Sequence, residues 1–198
     1  MYPTFVDALT SRADARVRAV EQTGAVVAVT ALTALAAQIA IPLPFTPVPF
    51  TFQPMVVLVG AAALGSRRGM ASQMVYLALG LLGLPLFAAS PALPQGVARL
   101  LGPTGGYLMS YPLAAFVAGY LAERGFDRRY TTFVVAMAAG LSVVFAGGVA
   151  WLTVIQPAHS VRAALAAGFY PFVLADLVKL VVAASVMPAL WRQHERVP

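Results

Sequence analysis

Two ionisable side chains interrupt an apolar run near the C-terminus, FYPFVLADLVKLVVAASVMPAL. Asp176 and Lys179 are three residues apart, so a helix puts them on one face. Asp176 lies seven residues past Phe169, which is about 10 Å along a helix axis at 1.5 Å per residue. A charge at that depth in a bilayer costs at least ~2.5 kcal/mol on insertion scales and normally faces a cavity or a partner. An acceptor and a donor side by side suit a small polar head group. The plainer alternative is a self-neutralising ion pair that only packs against other helices.

A second cluster is VARLLGPTGGYL, residues 97–108. Arg99 supplies a cation, Gly102, Gly105 and Gly106 allow close backbone approach, and a helix starting there aims its first N–H groups at an anion. An ordinary glycine-rich turn explains the same spacing equally well. Catalysis has little to stand on. There is no cysteine, and the two histidines, His159 and His194, fall outside the apolar runs. HExxH and GxxxxGK[ST] are both missing, so metal hydrolysis and ATP hydrolysis by this chain are not expected. No cofactor and no metal site is expected.

The elements that must position these residues are membrane helices. Of 198 residues, 60% are hydrophobic and 10% charged, against about 25% charged in a soluble domain. Apolar runs predict six transmembrane helices: about Thr23 to Ile41, Gln53 to Leu64, Met70 to Leu82, Gly105 to Leu121, Tyr130 to Val154 and Gly168 to Leu190. The fold class expected is an all-α membrane protein with a Pro-rich re-entrant cap between helices 1 and 2. That cap is PLPFTPVPF, whose prolines cannot extend a helix. Gly65 to Gly69 reads as a tight turn. Residues 1–21 read as a cytoplasmic leader, 22–191 as the transmembrane domain and 192–198 as a cytoplasmic tail.

Charge sets the orientation. Arg12, Arg16, Arg18, Arg67, Arg68, Arg124, Arg128, Arg129, Arg192 and Arg196 fall on one side, and only Arg99 and Arg162 on the other. Excess cations mark the cytoplasmic side, so both termini are expected inside a bacterial inner membrane. The net charge of +6 is then a topology signal and not a nucleic-acid patch. Aromatic rings are expected at the interfaces, Tyr120, Tyr130 and Trp191 inside and Tyr107, Trp151 and Tyr170 outside. In helix 1, Ala28, Ala31, Ala34, Ala37 and Ala40 recur every third residue, with Ala36 four before Ala40. Small residues let another helix approach, either within the bundle or from a separate subunit.

Four strings together carry a resemblance: PFTPVPFTFQ (44–53), YLALGLLGLPLFA (76–88), GPTGGYL (102–108) and DLVK (176–179). From about Ala28 to Leu180 the chain resembles the substrate-binding S component of an energy-coupling-factor transporter, specifically the biotin-specific BioY family. The resemblance implies a six-helix bundle open to the outside, tight biotin binding, and association with a membrane coupling protein and a pair of cytosolic ATPases. It implies docking of the coupling protein on the alanine face of helix 1, at Ala28, Ala31, Ala34, Ala36 and Ala40. It also carries substrate contact onto Asp176, Lys179, Arg99, Tyr107, Gly106 and Gln53. Biotin has two ureido N–H donors, one carbonyl, an apolar bicycle and a carboxylate. Asp176 would accept from the N–H groups, Lys179 would donate to the carbonyl, and Arg99 or the start of helix 4 would hold the carboxylate. Phe45, Phe50, Phe52 and Tyr107 would wall the rings. The segment LFAASPALPQG departs from the family's usual loop, leaving Ser90 or Gln95 to replace an amide contact. A self-sufficient facilitator or proton-coupled carrier and an S component for another vitamin are the competing readings, and self-association of the chain alone is left open.

Overall fold

The computed structural model describes residues 2–89, 95–157 and 159–196. Among the described residues, three helices are long and apolar enough to cross a membrane. They are α2 (Ala15–Gln38), α7 (Tyr130–Ile155) and the segment Tyr170–His194, which comprises α9 (Tyr170–Ala183) and α10 (Val186–His194). Between them lie α3 (Gln53–Leu64), α4 (Ser66–Leu81) and α6 (Gly105–Ala122), with short helices α1 (Phe5–Leu9), α5 (Val97–Leu101) and α8 (Val161–Gly168). The outward faces carry Leu32, Leu35, Val154, Leu174, Val178 and Val182, all exposed. Water would penalise such a surface, whereas lipid does not, and this is the surface of a membrane-embedded protein.

Local sequence explains the breaks. α3 starts with Pro54 in its first turn, where the missing N–H is no loss. It ends at Gly65, whose φ of +87° suits only glycine. The tight turn expected over Gly65 to Gly69 is thus one residue, and α4 resumes at Ser66. The Glu123 carboxylate caps α4, accepting from the Ser66 N–H at 2.8 Å and from its hydroxyl at 2.9 Å. α9 and α10 separate at Ala184–Ser185 because Pro188 cannot donate to the Ala184 carbonyl.

Three sequence expectations need correction. α2 begins at Ala15 rather than Thr23, since Arg16, Arg18 and Glu21 end the apolar run but not the helix. The segment before it is folded too. Thr4 and Asp7 form a reciprocal cap on α1, and Asp7 accepts from Arg68 at 2.6 Å and Gln22 at 3.1 Å. The chain is also not purely helical. Ala40–Ile41 (β1) and Phe50–Thr51 (β2) pair antiparallel, closing a hairpin around the proline-rich segment. Finally, Tyr107 and Trp191 are buried at 8% and 4% exposure, so both rings pack against protein and neither is presented to lipid headgroups.

Within the core, α2 meets α4 through polar groups. The Thr30 hydroxyl donates to the Ser72 carbonyl at 2.9 Å, and Gln73 Nε2 donates to the Ser72 and Thr33 hydroxyls. Such bonds average about 0.6 kcal/mol in membrane proteins. The alanines of α2 do not share a face, because a period of three drifts around a 3.6-residue helix. Ala28 and Ala31 face outward, whereas Ala34 and Ala36 are buried within this chain. The docking face expected at Ala34 and Ala36 is therefore not presented, and Ala40 is held in β1.

Candidate functional site

A cavity of about 630 Å³, its mouth included, lies between the β1–β2 hairpin and helices α3, α6, α7 and α9. Val48, Pro49, Phe50 and Thr51 cover it from the hairpin side. Asp176, Arg99, Gln53 and Tyr107 reach its wall, as do the rings of Phe87, Tyr111, Phe145 and Phe172. An apolar bicycle would meet rings on several sides, and a few polar groups converge among them.

Asp176 is 6% exposed and pairs with Lys179. Lys179 itself is not part of the cavity wall. Its Nζ donates to the Thr51 carbonyl at 2.7 Å and lies 3.9 Å from the centre of the Phe50 ring. The ammonium thus joins α9 to β2 while pairing with Asp176. A second link is the Thr46 hydroxyl, which donates to the Ala167 carbonyl at 2.5 Å.

Tyr107 donates its phenol proton to the Gly168 carbonyl at 2.7 Å. Its ring fits only because Gly148 has no side chain, since a Cβ there would overlap it. Trp151 Nε1 donates to the Gly102 carbonyl at 2.9 Å, fixing the glycine-rich entry to α6. Gly106 packs against Trp151 and the Gly147 carbonyl, where a Cβ would overlap both, so it permits the close crossing of α6 and α7. Arg99 is 3% exposed and ends inside the protein, beside the cavity. Gln53 Nε2 donates to the Tyr76 hydroxyl at 2.7 Å.

Phe45 is 67% exposed and Phe52 is 43% exposed, and neither lines the cavity. The walls they were expected to form are supplied by Phe50, Phe87, Tyr111, Phe145 and Phe172. Aromatic residues inside apolar runs carry no sequence mark that separates cavity from lipid. Gln95 donates to the Phe87 carbonyl at 3.1 Å and so braces the wall, while Ser90 lies outside the described residues. Among the described residues, no three His, Cys, Asp or Glu side chains converge as a metal set.

The BioY family model matches residues 10–196. The chain belongs to the BioY family. Biotin transporter BioY of Thermotoga maritima is 43% identical over 157 residues, spanning 79% of this chain and 88% of that protein. A probable biotin transporter BioY of Lysinibacillus sphaericus is 36% identical over 167 residues, spanning 82% of each. A solved S-component for biotin from an ECF-type ABC transporter aligns with a TM-score of 0.80 at 25% identity, covering 91% of this chain and 96% of that one. This BioY member is therefore similar along most of its length to proteins named for biotin transport.

Proposed function

We propose that this chain is the biotin-binding S component of an energy-coupling-factor transporter, a binding subunit and not an enzyme. The carrying observation is the acid Asp176, buried in an aromatic cavity beneath the hairpin of a BioY-family chain. In this reading the ureido ring donates an N–H to Asp176, the bicycle lies among Phe50, Tyr107, Phe145 and Phe172, and the carboxylate turns toward Arg99 and the first N–H groups of α6. Lys179 pairs with Asp176 and holds Thr51 over the ligand. With one oxygen of Asp176 taken by Lys179, the other is costly to leave without a donor once a ligand covers it, so a ligand lacking an N–H there is rejected.

The bundle crosses a bacterial inner membrane six times, with both termini in the cytoplasm and the hairpin as a cap on the outer side. The arginine asymmetry supports this orientation. A membrane coupling protein would meet the outward face of α2 around Ala28 and Ala31, and a cytosolic ATPase pair would supply the energy. Purified protein titrated calorimetrically with a panel of vitamins tests the reading. Biotin alone is expected to bind tightly; tight binding of a different vitamin, or of none, overturns it. Biotin uptake by cells that survives deletion of all coupling ATPases would instead favour a self-sufficient carrier.

A further inference from the structure

Behind the cavity wall a short hydrogen-bond relay runs from Gln53 through Tyr76 to the Leu86 backbone. Gln53 Nε2 to Tyr76 Oη is 2.7 Å, and Tyr76 Oη to the Leu86 carbonyl is 3.1 Å. Tyr76 is fully buried, and its ring is held edge-on by Phe87 at 5.5 Å between centroids and 82°. A phenol has one proton and a carbonyl has none to give. The Tyr76 proton is therefore committed to Leu86, and its oxygen has only a lone pair to offer Gln53. With the amide reversed, two oxygens would face each other at 2.7 Å with no proton between them. Only the orientation with Nε2 toward Tyr76 satisfies the buried groups. Gln53 is 3% exposed and lines the cavity, and among the described residues no protein hydrogen bond reaches its Oε1.

We infer that Tyr76 is a positioning residue that fixes the polarity of the Gln53 amide, so that Gln53 Oε1 is an obligate acceptor which selects a ligand N–H. The inference rests on the biotin reading above and deepens it. Asp176 and Gln53 then form two separate acceptors, matching two ureido N–H groups, and Tyr76 acts on selectivity without touching the ligand.

The test is calorimetric binding of biotin and of two analogues, each methylated on one ureido nitrogen, to wild type, Tyr76→Phe and Gln53→Met. Wild type is expected to discriminate against both analogues. Tyr76→Phe frees the amide to turn, so discrimination at one nitrogen falls by about 5–10-fold, the worth of one hydrogen bond. Discrimination at the other nitrogen, which faces Asp176, stays. Gln53→Met erases the same ratio and serves as the readout should Tyr76→Phe fold poorly. A purely structural Tyr76 would weaken all three ligands equally. Unchanged ratios in either variant, or equal weakening, overturn the inference while leaving biotin binding by wild type intact. No biotin binding by wild type overturns the parent reading as well.

Discussion

Replacing Lys179 with Met removes the ammonium but keeps an unbranched apolar chain of similar length. Three interactions go with it: the ion pair to Asp176, the bond to the Thr51 carbonyl and the contact with the Phe50 ring. Asp176, 6% exposed, is left as a buried charge without its counter-ion. Breaking a buried pair from one side typically costs about 3–5 kcal/mol. For a chain of this size each kcal/mol moves the melting temperature by about 2–4 °C, so the expected loss is roughly 6–20 °C. The double variant Asp176→Asn, Lys179→Met removes both charges and should recover most of that loss, because the pair repays mainly its own desolvation. Recovery of stability should not restore full ligand binding, since the amide keeps one acceptor oxygen but has lost the charge and the second acceptor of the carboxylate. Thermal unfolding of the purified variants in one detergent measures the first part and calorimetry the second. A single variant as stable as wild type, or a double variant no better than the single, would refute the account of the pair.

Gly148→Ala should push the Tyr107 ring out of place and break its bond to Gly168. A loss of about 1–3 kcal/mol is expected from overpacking, with weaker ligand binding in the same preparation; unchanged melting and affinity would contradict the contact. Asp127, in the loop between α6 and α7, is 1% exposed, and its Oδ2 accepts from Trp191 Nε1 at 2.6 Å. Burial pushes its carboxyl above the usual range, against the opposing Trp191 bond and the Arg128 charge. With the folded value raised, this group stabilises the fold fully below its unfolded pKa, and that contribution is lost as pH rises through the raised folded value. Asp127→Asn keeps an acceptor for Trp191 without the charge, so it should melt above wild type at pH 7, with the gap narrowing toward pH 4. A gap that widens on acidification would reverse the sign.

Proline and glycine made much of the bundle legible. Gln53 to Leu64 was delimited by Pro54 and Gly65, and the start of α6 by Pro103, Gly105 and Gly106. Helices with charged starts were not, because hydropathy detects lipid contact and not hydrogen bonding. That is why α2 extends back to Ala15 and why α8, with Arg162 in its first turn, went unseen. Within the site, spacing alone put Asp176 and Lys179 on one face. It could not say that the ammonium turns to Thr51, 128 residues away in sequence. Nor could it sort Phe50 from Phe45, since both sit in the same proline-rich string and only the fold turns one inward. The alanine repeat divides between an outward and a buried side for a geometric reason, since a period of three drifts around a helix of 3.6 residues per turn.

The central claim is that biotin sits in the hairpin-covered cavity with its ureido ring on Asp176, and a structure of the protein with biotin bound tests it most directly. The expected result is ligand density beneath Phe50 and Thr51, with a ring nitrogen within hydrogen-bond reach of Asp176 and the carboxylate toward Arg99. Density in the groove between α6 and α7, beside Gly106, Ser110 and Trp151, or a bound ligand that leaves Asp176 untouched, would contradict it.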